Sequence, residues 1–162
     1  MKKQSILGRG FTLIELLVVV AVVGLLASIT LGYLSDAKKK GDDSAIKSNL
    51  ATIRSVGEIF YTDNASSYLP SGGSVFAIAT CPAYNASGTN MLSKNKIIAD
   101  AVAEAIKRGT GSSCYNSVNF WAVAIGLKLV ANTSWCVDST GAAKIVNTVP
   151  SAAINSSSFD CN

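Results

Sequence analysis

The chain contains no histidine. That absence excludes zinc sites built on imidazole and every acid–base arrangement that depends on histidine. It also lacks a Gly-x-Ser-x-Gly elbow and a phosphate-binding loop, so the commonest hydrolase and nucleotide-binding signatures are missing. None of its cysteines forms a Cys-x-x-Cys pair. Charge is scarce as well: 15% of residues are Asp, Glu, Lys or Arg, against about a quarter in an average soluble domain. The deficit is concentrated, because no charged residue occurs between Leu16 and Ser35. A membrane-tethered enzyme therefore has little to work with.

What charge there is leans basic, at a formal +4. Lys2, Lys3 and Arg9 precede the apolar run, and setting them aside leaves eleven basic against ten acidic residues. This is a poor footprint for nucleic acid. Asp100 and Glu104 lie one turn apart on an expected helix, beside Lys107 and Arg108, and read as a solvated face. Lys94, Lys96, Lys107, Arg108 and Lys128 are the candidates for a basic binding patch, with a mixed-charge surface as the simpler reading. The Asn-x-Ser/Thr triplets at Asn64, Asn85, Asn132 and Asn155 are expected by chance in so Ser- and Asn-rich a chain.

The N-terminus carries the strongest signal. Residues 1–10 are short, basic and end in Gly10; residues 11–34 are almost wholly apolar. As a helix that stretch is about 36 Å long, enough to cross a hydrocarbon core of about 30 Å. Three readings compete. One is a signal peptide removed beyond the apolar core, which lacks a clean small-x-small site at Leu25-Leu26-Ala27. Another is a plain anchor, and the third is a segment cut before the apolar run. Glu15 separates them. A carboxylate near the start of a span costs up to about 2.5–3.5 kcal/mol at the bilayer centre and less at its edge. It either snorkels to the interface or pairs with a cation. Cleavage after Gly10 supplies such a cation, the new α-amino group of Phe11, mostly protonated at neutral pH. Lys2, Lys3 and Arg9 favour a cytoplasmic N-terminus. At the far end Lys38-Lys39-Lys40 is offset by Asp36, Asp42 and Asp43, so charge alone leaves orientation open.

Gly10-Phe11-Thr12-Leu13-Ile14-Glu15, followed by a long apolar helix, resembles the cleavage and methylation motif of type IV pilins and pseudopilins. The resemblance implies cleavage after Gly10 by a prepilin peptidase, N-methylation of Phe11, and a need for Glu15 in assembly. It implies an inner-membrane precursor that polymerises with copies of itself, on an assembly platform in that membrane, into a helical surface filament. No cofactor or metal is implied. A secretion pseudopilin, a minor pilin and a DNA-uptake pilin share the motif. The resemblance departs at Gly32, where many pilins carry proline, so no fixed proline kink is implied there.

The expected domains are a leader at 1–10, a transmembrane and filament-core helix at 11–35, and a head at 36–162. The fold class is α+β: a long N-terminal helix packed on a small antiparallel sheet. Ile46, Leu50, Ile53, Val56 or Gly57, and Phe60 recur at helical spacing, so the helix continues to residue 62. A second helix is expected over 92–108, stopped by Gly109. Strands are expected within 118–130, 134–138 and 144–149, the last two around the turn Ser139-Thr140-Gly141, in a sheet of three or four strands. The block Trp135–Gly141 resembles a hairpin of compact pilin heads. Trp121 and Trp135 read as packing residues. The four cysteines, Cys81, Cys114, Cys136 and Cys161, read as two disulfides in an oxidising compartment. Of three connectivities, Cys81–Cys114 and Cys136–Cys161 are preferred, each closing a loop of roughly 25–35 residues. A calcium site would need more carboxylate than Asp138 and Asp160 provide.

Overall fold

A computed structural model describes residues 11–162, except the side chains of 30–32. One helix, α1 (Leu13–Asp63), takes up 51 of these residues. It runs through Gly24 and Gly32 without interruption. The chain divides into two compact units between Ala37 and Lys38. In the first unit every described side chain from Phe11 to Ala37 is exposed. This is one helix long and apolar enough to cross a membrane.

In the second unit α1 is amphipathic. Ile46, Leu50 and Ile53 are fully buried, with Val56 and Phe60 packed beside them. The helix stops at Asp63, where the side-chain amide of Asn64 donates to the Phe60 carbonyl at 2.8 Å. Ala65 and Ser66 then take positive φ, turning the chain sharply away from the helix.

The second expected helix is two. α2 (Met91–Lys94) and α3 (Lys96–Arg108) meet at Asn95. The Asn95 side chain accepts from the Ile97 and Ile98 amides at 3.0 and 3.1 Å, and Asn90 caps α2 in the same way through Ser93. Asparagine offers the backbone this acceptor where a helix begins, so apolar periodicity alone ran the two together. α3 ends at Gly109, as expected, with the Gly109 amide reaching the Ala105 and Ile106 carbonyls.

The sheet has five antiparallel strands in sequence order: β1 (Phe76–Ala79), β2 (Ser112–Asn116), β3 (Trp121–Gly126), β4 (Ser134–Asp138) and β5 (Ala143–Val146). The expected three or four strands fell short at β1, which lies in a segment read as loop, and at β2, whose Ser-Ser-Cys-Tyr-Asn sequence carries no apolar alternation. Pairing with β3 over its whole length makes it a strand. β3 is buried on both faces. Trp121, Val123 and Ile125 face α1, α2 and α3, while Ala122 and Ala124 face a second cluster with Ile154 and Cys161. Adjacent strand residues point to opposite faces, so the small alanines make room for the C-terminal segment.

Gly57 packs against the indole of Trp121. A Cβ built on Gly57 would lie 3.5 Å from the indole Nε1, an ordinary contact. The glycine therefore weakens the helix without being needed for clearance. Gly57→Ala is expected to stabilise the head by about 0.5–1 kcal/mol, the usual helix-propensity gain. Thermal denaturation of the detergent-solubilised chain measures this; a lower melting temperature would mean the indole cannot accommodate the methyl group.

Candidate functional site at the N-terminus

Phe11 and Thr12 precede the first turn of α1, and Gly10 lies outside the described residues. Phe11 is 80% exposed, and its neighbours Leu13 and Ile14 are nearly as open. Glu15 does not stand alone. Its Oε2 accepts the Thr12 amide at 2.9 Å and the Thr12 hydroxyl at 2.8 Å. In return the Glu15 amide donates to the Thr12 Oγ1 at 3.3 Å. This is a capping box: two amides left without partners at a helix start are satisfied reciprocally by the residues at its two ends. A carboxylate there also meets the positive end of the helix dipole.

The arrangement has a chemical consequence. Cleavage between Gly10 and Phe11 would leave the Thr12 amide intact, so the box survives processing. Glu15 then has local donors on its own chain as well as a charge to offer a neighbour. Thr12 was not singled out from the sequence. The signal was there, as Thr-x-x-Glu immediately before an apolar run.

The cysteines lie elsewhere, in the second unit. Cys81 is bonded to Cys114, and Cys136 to Cys161, with sequence separations of 33 and 25. Loops of that length are worth about 3 kcal/mol each by chain entropy. Cys114 pairs across strands with Val123, and Cys136 with Ala124, so the two bridges serve opposite faces of the sheet. The first ties the 63–91 segment to β2. The second ties the C-terminus to β4.

Three buried polar groups complete the head, and none was recognised from sequence. Asn116, fully buried, accepts the Met91 amide at 2.8 Å and donates to the Tyr68 carbonyl at 3.3 Å, fastening the long connection to the sheet. The Tyr68 hydroxyl donates to Glu58 at 2.8 Å; burial, then that carboxylate, pushes its pKa up to about 12. Asp138, 2% exposed, closes the β4–β5 turn. Its Oδ1 accepts from the Thr140 amide and hydroxyl and the Ala142 amide, and its Oδ2 accepts the Cys161 amide at 2.8 Å. A carboxylate so fully used by protein donors is a structural group.

Several charges considered for a binding patch form ion pairs. Lys96 binds Asp100, which raises the lysine pKa, and Lys107 binds Glu104. Arg108 and Lys128 both bind Asp42, and Lys128 first, then Arg108, holds the Asp42 carboxyl below its ordinary range. Four of the five residues considered for a basic patch thus have a carboxylate partner.

Residues 8–31 match the prokaryotic N-terminal methylation motif. The chain is 35% identical over 65 residues to the type II secretion system core protein G of Klebsiella michiganensis, covering 40% of this chain and 44% of that one. It is 36% identical over 58 residues to the type IV wide pilus major component PilA4 of Thermus thermophilus, covering 36% and 44%. The type IV major pilin PilA of Myxococcus xanthus is 36% identical over 55 residues, covering 34% and 25%. The chain thus spans less than half the length of these relatives. No solved structure matches it significantly. Its long N-terminal helix and small antiparallel sheet form a pilin-like α+β architecture, and the chain shares the N-terminal methylation motif and about a third of its length with type IV pilins and type II secretion core protein G.

Proposed function

We propose that the chain is the precursor of a structural filament subunit, cut after Gly10 and N-methylated on Phe11. Residues 1–10 are the leader, 11–35 the membrane span and later the filament core, and 36–162 the head. The subunit waits in the inner membrane, is cut there by a prepilin peptidase, and joins copies of itself on an assembly platform to form a surface filament. The observation that carries this reading is the match of residues 8–31 to the methylation motif. The exposed, uncharged face of α1 supports it, because such a surface needs lipid or sister helices around it. Filament formation and processing together need no catalytic group on this chain.

A secretion pseudopilin is the second reading, favoured by the likeness to core protein G. The two differ in where the polymer accumulates. The processing step common to both is tested by mass spectrometry of the mature N-terminus. The expected result is a chain beginning at Phe11 and about one methyl group heavier than unmodified. A chain beginning at Met1, or cut beyond Ala27, would reduce the motif to coincidence. Recovery of the processed chain in sheared surface material selects the pilus; retention in the cell envelope selects the pseudopilin.

A further inference from the structure

A groove of about 400 Å³ lies between α1 and the β4–β5 turn, wholly within the second unit. Small-molecule sites occupy about 300–1,000 Å³ and are mostly walled by apolar side chains. Here six of the eight lining residues are polar or charged, so a ligand for this groove has to be polar too. Arg54 and Glu58 line it from α1, Ser139 and Thr140 from the turn, and Trp121 from β3.

Arg54 and Glu58 stand about one turn apart on α1, yet each has its own partner. Arg54 donates from Nη2 to the Gly141 carbonyl at 2.9 Å, and Glu58 Oε1 accepts the Tyr68 hydroxyl at 2.8 Å. A basic residue four positions before an acid is the weaker order for a helical ion pair. Among the described residues, the remaining guanidinium N–H groups and Glu58 Oε2 have no bond within the protein. Ser139 Oγ accepts the Trp121 amide at 3.4 Å and keeps its own proton to donate. Thr140 donates its hydroxyl to Asp138 and keeps its oxygen to accept. Trp121 is fully buried, and its indole Nε1 has no hydrogen-bond partner. Such an orphan is rare and costly in a native interior.

The charges select the ligand. A free anion drawn to Arg54 meets the Glu58 carboxylate, and a free cation drawn to Glu58 meets the guanidinium. An apolar ligand would strip water from both without replacing its bonds. A zwitterion answers the two charges and leaves the turn hydroxyls unused. A neutral ring bearing several hydroxyls accepts from Arg54 and Ser139 and donates to Glu58 and Thr140, because each hydroxyl does both. We propose that this groove is a binding site for a neutral sugar. The head alone supplies every group involved, so binding is independent of processing and assembly.

The test uses the full chain, isotopically labelled, in phosphocholine micelles, which carry no sugar. Glucose, galactose, N-acetylglucosamine, maltose, lactose and chitobiose are titrated separately, and the indole N–H resonances are followed. The chain has two tryptophans, and Trp135 does not line the groove, so its indole is the internal control. At least one sugar is expected to shift Trp121 saturably and leave Trp135 in place. Arg54→Met is expected to weaken that binding at least about tenfold, the usual cost of losing hydrogen bonds to a charged group. Glu58→Gln keeps an acceptor for Tyr68; it is expected to weaken sugar binding less, and to admit acetate, which the unaltered chain excludes. Titrations in which no sugar moves Trp121, or in which both indoles move together, overturn the proposal. Undiminished binding by Arg54→Met at an unchanged melting temperature does so as well. Where that variant melts lower, Glu58→Gln decides, and its exclusion of acetate overturns the charge argument. Acetate or glycine binding the unaltered chain more tightly than every sugar would assign the groove to a charged small molecule instead. A Trp121 shift that follows protein concentration would place a segment of a second copy there and overturn the sugar.

Discussion

Asp138→Ala is expected to destabilise the head by about 3 kcal/mol, a typical cost for leaving buried donors of a charged acceptor unsatisfied. For a head of this size the melting temperature should fall by roughly 10–15 °C. The reason is convergence. One carboxylate closes the β4–β5 turn through Thr140 and Ala142 and holds the Cys161 amide beside the Cys136–Cys161 bridge. Asp138→Asn divides the two tasks. Its amide oxygen can keep the three donors of the turn, while its NH2 group would face the Cys161 amide, donor against donor. The expected outcome is an intermediate loss of stability, with faster hydrogen exchange confined to the C-terminal segment. If Asp138→Asn melts like the unaltered chain and exchanges at the same rate, the bond to Cys161 contributes nothing. If Asp138→Ala does so, the carboxylate is not the keystone described here.

Glu15→Gln is expected to abolish filament yield, or cut it by at least roughly tenfold, while leaving membrane insertion intact. The variant isolates charge from capping. Glutamine still accepts the Thr12 amide, so the capping box and the helix start survive. What it cannot do is neutralise an ammonium. On the filament reading, the processed Phe11 amine of a neighbouring subunit is packed in low dielectric, and removing its partner costs about 3–5 kcal/mol. Glu15→Val removes both functions and is expected to fail equally. Thr12→Val removes the hydroxyl but spares the charge, and should cost only about 1 kcal/mol of helix-start stability. Electron microscopy and immunoblotting of sheared material report yield; membrane fractionation reports insertion. Normal filaments from Glu15→Gln would show that Glu15 serves the helix terminus and that no intersubunit charge pair is required.

The polar interior was much less legible than the apolar pattern. Ile46, Leu50 and Ile53 announce themselves by spacing, and so does the face of α3 with Ile98, Val102 and Ala105. Asn116 and Asp138 do not, because a buried polar side chain is defined by partners distant in sequence: Met91 and Tyr68 for one, Cys161 for the other. β2 was invisible for a related reason. Its strand character comes from pairing with β3, and its residues carry no alternation of their own. Asp42 and Asp43 reversed their meaning on folding. Beside three lysines they read as local charge balance, yet their partners are more than sixty residues away.

Local features were determined by the sequence itself. The uncharged run from Leu16 to Ser35, the Thr12–Glu15 cap and the methylation motif each depend on residues close together in sequence, so short-range chemistry is sufficient for them. Only the tertiary structure decided which carboxylates are spent inside the head, which lysines remain at its surface, and how the C-terminal segment covers the outer face of the sheet through Ala122 and Ala124. These depend on long-range contacts. A charge or a small side chain acquires its role from whatever the fold places against it.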